Sequence, residues 1–259
     1  MMKTEKNILS IADLSIGYGS KTIAQNINFD LEAGMLCGIV GINGIGKSTL
    51  LRTLGGFQAK LSGTILLNDE PLEKYTSTAL SKELSVVLTE QPASKNLTVQ
   101  ELIALGRQPY TNWLGTLTQE DKQQIQTSLD SFLLNDLRNN KCHELSDGQL
   151  QRVLVARAMA QDTSLILLDE PTTHLDLYHK VQILKMLQAL AHDKQKTILF
   201  TTHEIELAIQ LCDRILILDG KNHPFGDPCQ LIEEKHFDKL FPSEMVQFDA
   251  KTGSFKVNK

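Results

Sequence analysis

Residues 41–49 read GINGIGKST and lie between the apolar run MLCGIV and the leucine-bearing stretch LLRTLGGF. No other segment narrows the choice of fold as far, because the pattern asks for a strand, a tight turn and a helix in immediate succession. Glycine at Gly41, Gly44 and Gly46 lets the backbone take positive φ, so that successive N–H groups point into one concave, anion-binding nest. A helix that starts at the end of the turn adds the positive end of its dipole. The spacing G-x-x-x-x-G-K-[ST] puts Lys47 within reach of β- and γ-phosphates and Ser48 where a hydroxyl can ligate Mg²⁺.

Around this turn the chain alternates. NILSIADLSI, TIAQNINFDL, MLCGIVG, SGTILLN, LSVVLT, SLILLDE, TILFTTH and RILILDG read as strands bounded by Gly, Asn and Asp, and VQILKMLQALAHD has helical periodicity. The wholly apolar LILL and ILF suit central strands covered on both faces, which predicts an α/β fold with a mostly parallel sheet. Residues 92–160 break the rhythm: LTVQELIALGRQ, QEDKQQIQTSLDSFLLN and LQRVLVARAMAQD are helical, so a helical insertion interrupts the sheet-forming parts. The end, MVQFDAKTGSFKV, alternates about Thr-Gly and reads as a hairpin after a short helix.

Composition excludes several classes. A chain of 259 residues with 41% apolar content can bury a large core, and a net charge of −5 argues against nucleic acid as a partner. No run approaches the roughly 18 apolar residues of a membrane span, and the N-terminus lacks an apolar leader core, so a soluble chain is expected. Cys37, Cys142, Cys212 and Cys229 show no metal-binding spacing and read as buried thiols in a reducing compartment.

LILLDEP ends a buried strand on Asp169 and Glu170, where two adjacent carboxylates need partners such as Mg²⁺ and water. Asp169 would orient the metal's water shell, and Glu170 would take the proton of an attacking water. In ELSDGQLQRVLVARAMA, Ser146 is a helix N-cap and marks a second helix N-terminus able to bind an anion.

GINGIGKST, LSDGQ, LILLDEP, THLD and ILFTTH stand in the order of the motifs of the ATP-binding-cassette ATPases, which residues 7–221 resemble. The resemblance implies a P-loop NTPase cassette: a RecA-like core, an antiparallel β-subdomain and a helical subdomain, over residues 1–221, with 222–259 as a C-terminal extension. It implies ATP and Mg²⁺ as cofactors. Tyr18 would stack on adenine, Gly41, Asn43, Gly44, Gly46, Lys47, Ser48 and Thr49 would hold the phosphates, and His203 would contact the γ-phosphate beside Glu170. Ser146, Gly148 and Gln149 of the signature and Asp176 of the D-loop complete the nucleotide set. Asp147 departs from the usual glycine there and is expected to point away from the phosphate. The Q-loop, usually Pro-Gln, reads LTEQP; Glu90 is selected by alignment and Gln91 by residue type, either one supplying an oxygen to metal or water, with Ser48 and Asp169 as the other metal residues.

In the resembled family, ATP lies between the phosphate turn of one cassette and the signature of another, so a single copy of each implies pairing with a second copy of the chain or a close paralogue, and two-fold symmetry makes a homodimer the economical choice. TVQELIALGRQPYTNWLG and DEPTTHLDL are similar to the ATPases of iron–siderophore, haem and cobalamin importers. That similarity implies a peripheral subunit on the cytoplasmic face of the inner membrane, docked on a polytopic permease served by a periplasmic solute-binding protein. RQPYTNWLG is expected at the permease, through Tyr110 and Trp113. The alternative is a soluble ATPase of iron–sulfur cluster assembly. A GTPase is excluded by the lack of N-K-x-D, and a coiled-coil repair cassette by the short insertion.

Overall fold

The computed structural model describes residues 6–89, 96–241 and 244–258. The long strands β1 (Asn7–Tyr18) and β2 (Lys21–Glu32) form a hairpin, and β3 (Leu36–Val40) runs through the glycine turn into α1 (Lys47–Leu54). Then come β4 (Ser62–Leu67), β5 (Glu70–Pro71), α2 (Ser77–Glu83) and β6 (Leu84–Val87). Three helices follow, α3 (Val99–Ala104), α4 (Gln119–Ser131) and α5 (Asp147–Ala160). The chain returns to strand–helix alternation with β7 (Leu165–Leu168), α6 (Leu177–Lys194), β8 (Thr197–Thr201), α7 (Ile205–Leu211) and β9 (Arg214–Ile217). It ends with β10 (Phe225–Gly226), α8 (Pro228–Glu233), β11 (Val246–Asp249) and β12 (Ser254–Val257).

These strands make an antiparallel sheet ordered β2-β1-β4-β5 and a larger sheet ordered β10-β9-β3-β8-β7-β6. In the larger one, β9, β3, β8, β7 and β6 are mutually parallel, and β10 pairs antiparallel at the edge. Every residue of β3, β7 and β8 is buried, because alternate side chains enter two different cores. Leu36, Val40, Ile166, Leu168, Ile198 and Phe200 face the core shared with the helices. Cys37, Ile39, Leu165, Leu167 and Leu199 face the one shared with the antiparallel sheet. Strands with apolar residues on both faces satisfy both, and the buried threonines at the ends of β8 find hydrogen-bond partners.

Helices α3, α4 and α5 each begin with a reciprocal capping box, Thr98 with Glu101, Thr118 with Asp121 and Ser146 with Gln149. An ion pair ties them together. Arg107, 3% exposed, donates from Nε to Asp121 Oδ1 at 2.8 Å and from Nη1 to Ala160 O at 2.8 Å. The Tyr110 ring lies 3.9 Å from the same guanidinium, so the half-buried Tyr110 packs on this ion pair. Trp113 is 91% exposed.

The C-terminal hairpin packs through a chain of rings, with Phe237–Phe248 centroids 5.1 Å apart and Phe248–Phe255 and Phe241–Phe255 each 5.0 Å apart. Phe255 N donates to Glu206 Oε1 on α7 at 2.9 Å. Three cysteines are buried, but Cys229, expected inside, is exposed in the first turn of α8. Among the described residues, no helix is long and apolar enough to cross a membrane.

Burial pushes the Asp121 carboxyl upward, but hydrogen bonds from Thr118 and Arg107 outweigh it and hold the group below its ordinary value. A depressed carboxylate stabilises the fold above its unfolded pKa of about 3.9, and that contribution is lost as pH falls through the lower folded value. Arg107→Ala should cost about 3–5 kcal/mol at neutral pH, since it leaves a buried carboxylate without its cation. Urea unfolding followed by circular dichroism measures the loss, and Asp121→Asn should flatten the acid limb of stability against pH.

Candidate functional site

The site forms where β3, β7 and β8 end side by side. Gly41 leaves β3 at φ 153°, and a Cβ there would lie 2.6 Å from the Leu218 carbonyl oxygen, so only glycine fits. Gly46 caps α1 at φ 112°, where a Cβ would meet Ile23 Cγ2 at 2.6 Å. The first-turn N–H groups of α1 have no intrahelical partners and face the turn as an anion-binding end.

Lys47 is 5% exposed, and its ammonium donates to the carbonyls of Gly41 at 2.8 Å and Ile42 at 3.2 Å. Burial lowers its pKa, an effect opposed by the negative charges of Glu170 and Asp169. Lys47 Nζ also lies 3.4 Å from His203 Nδ1, and His203 Nε2 lies 2.5 Å from Glu170 Oε1. Because an ammonium only donates, this arrangement assigns Nδ1 as the acceptor and the proton to Nε2, which donates to Glu170.

Asp169, 4% exposed, is surrounded by hydroxyls. Ser48 donates to Oδ1 at 3.0 Å, Thr201 to Oδ1 at 2.7 Å and Thr89 to Oδ2 at 3.0 Å. Thr201 Oγ1 also accepts from the Glu170 N–H at 2.8 Å, and Thr173 donates to Glu170 Oε2 at 2.9 Å. These bonds hold Glu170 at φ 51°, a left-handed conformation unfavourable to a residue with a Cβ and found mostly at functional positions. Ser48 and Asp169 together offer hard oxygen donors side by side, the donor set of a Mg²⁺ bound through one carboxylate, a hydroxyl and phosphates.

Asn43, Gly44, Gly46, Lys47, Ser48, Thr49, Glu170 and His203 line a cavity of about 350 Å³. A roomier groove of about 550 Å³ beside Phe132 and Met186 has no phosphate-type backbone turn in its wall. Tyr18 is 53% exposed and its hydroxyl lies 3.4 Å from Thr49 Oγ1, so the ring stands beside α1 rather than in a core. Ser146, Gly148, Gln149 and Asp176 are absent from the cavity wall. Ser146 instead caps α5, and Asp147 is exposed in its first turn. A Cβ at Gly148 would lie 3.3 Å from His179 Cδ2, and His179 Nδ1 lies 2.8 Å from Asp176 Oδ2, which joins signature and D-loop on one surface. Glu90 and Gln91 lie outside the described residues.

Thr89, Thr173 and Thr201 were not singled out from the sequence, although each stands within three residues of a motif residue that was. A threonine at the last position of a buried strand, beside another strand that runs into a carboxylate, is the signal that marks Thr201.

The sequence profile described as ABC transporter matches residues 24–173. The chain is 34% identical over 230 residues to the achromobactin transport ATP-binding protein of Dickeya dadantii, covering 88% of this chain and 86% of the relative. It is 35% identical over 212 residues to the iron(3+)-hydroxamate import ATP-binding protein of Bacillus subtilis, covering 82% and 79%. Among solved structures it resembles a transporter described as metal-chelate type in an inward-facing conformation, with TM-score 0.79, 30% identity and coverage of 91% and 89%. It also resembles a dimeric ATP-binding cassette in a post-hydrolysis state with ADP and phosphate, with TM-score 0.72, 25% identity and coverage of 85% and 98%.

Lys47→Ala should weaken ATP binding about 10- to 100-fold, the worth of a charge-assisted hydrogen bond, while the protein stays folded. Isothermal titration of the variant checks this; retained affinity removes Lys47 from the phosphate site.

Proposed function

The chain belongs to the ABC transporter family of ATPases, and from that premise we propose that it is the ATP-hydrolysing subunit of an importer for an iron chelate, haem or cobalamin. The observation that carries this reading is the convergence of Lys47, Ser48, Glu170 and His203, from separate segments, on one small cavity at a helix N-terminus, with Asp169 hydrogen-bonded to Ser48 behind it. The solute class rests on the relatives named for siderophore, hydroxamate and cobalamin import.

In this reading the phosphates occupy the glycine turn, and Lys47 exchanges its bonds to the Gly41 and Ile42 carbonyls for phosphate oxygens. Ser48 and Asp169 would hold a Mg²⁺, which would supply charge neutralisation at the phosphates when bound. Glu170 accepts the proton of the attacking water. Its carboxylate is already aimed by His203 on one oxygen and Thr173 on the other, so little reorganisation precedes the step. His203 contacts the γ-phosphate, and Tyr18 lays its exposed ring on adenine.

The cavity holds no signature residue, so Ser146, Gly148 and Gln149 come from a second copy of the chain. Asp176, next to the signature through His179, meets the same partner. The pair docks on the cytoplasmic face of a membrane permease, to which a periplasmic binding protein delivers the solute. Trp113 and Leu114, 91% and 67% exposed, form the apolar tip offered to that permease.

Glu170→Gln keeps the size of the side chain but cannot act as a base, and should lower turnover about 10²- to 10⁴-fold. Closed dimers should accumulate with Mg-ATP and open on chelation; size-exclusion chromatography beside an ATPase assay reads both. A Trp113→Ala variant should lose co-purification with the permease from solubilised membranes while the isolated subunit keeps its basal ATPase rate.

A further inference from the structure

Asp169 is buried, yet one of its carboxylate partners comes from an exposed residue at the rim of the site. Thr89 stands two residues past the end of β6, and its hydroxyl reaches Oδ2 at 3.0 Å, whereas Ser48 and Thr201 both take Oδ1. The main chain is joined at the same place, since the Asp169 N–H donates to the Val87 carbonyl at 2.8 Å. The end of β6 therefore holds Asp169 at two points, one through the backbone and one through a side chain.

These two points do different work. The backbone bond fixes where the Asp169 main chain sits, but the carboxylate plane turns on a broad, two-fold torsion that the backbone does not set. Donors on both oxygens fix that plane. We propose that Thr89 is a positioning residue, which orients the Asp169 carboxylate towards the divalent cation of the bound nucleotide. The proposal rests on the nucleotide-site reading given above. Among the described residues β6 is the edge strand of the sheet, so the direction of the carboxylate follows the position of a strand end paired on one side.

Outer-shell partners of a metal site change metal affinity or activity by roughly 10- to 100-fold when removed. The test uses the full chain with Glu170→Gln, so that nucleotide is not consumed, and titrates Mn²⁺ in saturating ATP by the loss of the free-ion electron paramagnetic resonance signal. Thr89→Val removes the hydroxyl and should weaken Mn²⁺ binding about tenfold, while Thr89→Ser restores it. ATP affinity measured in EDTA should be the same in all three proteins, which a merely structural defect would not leave untouched. If Thr89→Val does not fold by circular dichroism, Thr89→Ala carries the same comparison. Unchanged Mn²⁺ affinity without the hydroxyl, or equal weakening in Thr89→Ser, overturns the role of Thr89 and leaves the site reading intact. An Asp169→Asn control that binds Mn²⁺ as its parent does would overturn the site reading itself.

Discussion

A carboxylate at the end of a fully buried strand has to be met by donors from outside that strand, and the order of the central sheet follows from where those donors can come from. Asp169 directly follows β7, whose four residues are all buried. Thr201 reaches it because β8 lies next to β7 in the sheet, and Ser48 because β3, on the other side of β8, delivers the first turn of α1 above the strand ends. Thr89 reaches it because β6 closes the edge. Any other neighbour for β7 would leave at least one of these hydroxyls out of range. The same arrangement sets His203, two residues past Thr201, against both Lys47 and Glu170.

The helical layer is organised by its own interactions. Three capping boxes close its helix starts, and the Arg107–Asp121 pair, with Ala160 and Tyr110 on the same guanidinium, joins the segment after α3 to the start of α4 and the end of α5. The capping serine of α5 is spent on its own helix and exposed at the surface rather than turned into the chain's own phosphate cavity. In the proposed reading, that separation within one chain is the physical reason for a second copy at the nucleotide site.

Much of this was legible in the sequence where the signal is local. All eight long strand readings correspond to strands, since each is an apolar run with turn residues at its ends. The glycine turn between β3 and α1 was legible because glycine positions follow from backbone geometry at fixed spacing. What the sequence left unread depends on distant partners. β10 has two residues and exists by pairing with β9, and α7 is a seven-residue helix without a side-chain cap. Tyr110 reads as a surface aromatic until Arg107 is placed beneath it, and Cys229 reads as an ordinary buried thiol until α8 is seen to bury Pro228 and Leu231 instead. The threonines around Asp169 belong to the same class, because a hydroxyl gains meaning only from the carboxylate that folding brings to it.

The ring ladder of the C-terminal hairpin acts as a splint. Its backbone is bonded to Glu206 on α7, and α7 begins at Ile205, two residues after His203. Gly253 at the hairpin turn also sits against Ile209, further along the same short helix. A seven-residue helix has little rigidity of its own, so the stiffness of the loop that carries His203 is borrowed from a part of the chain some fifty residues further on. The tail thus backs the segment that carries His203 from behind, through α7 alone.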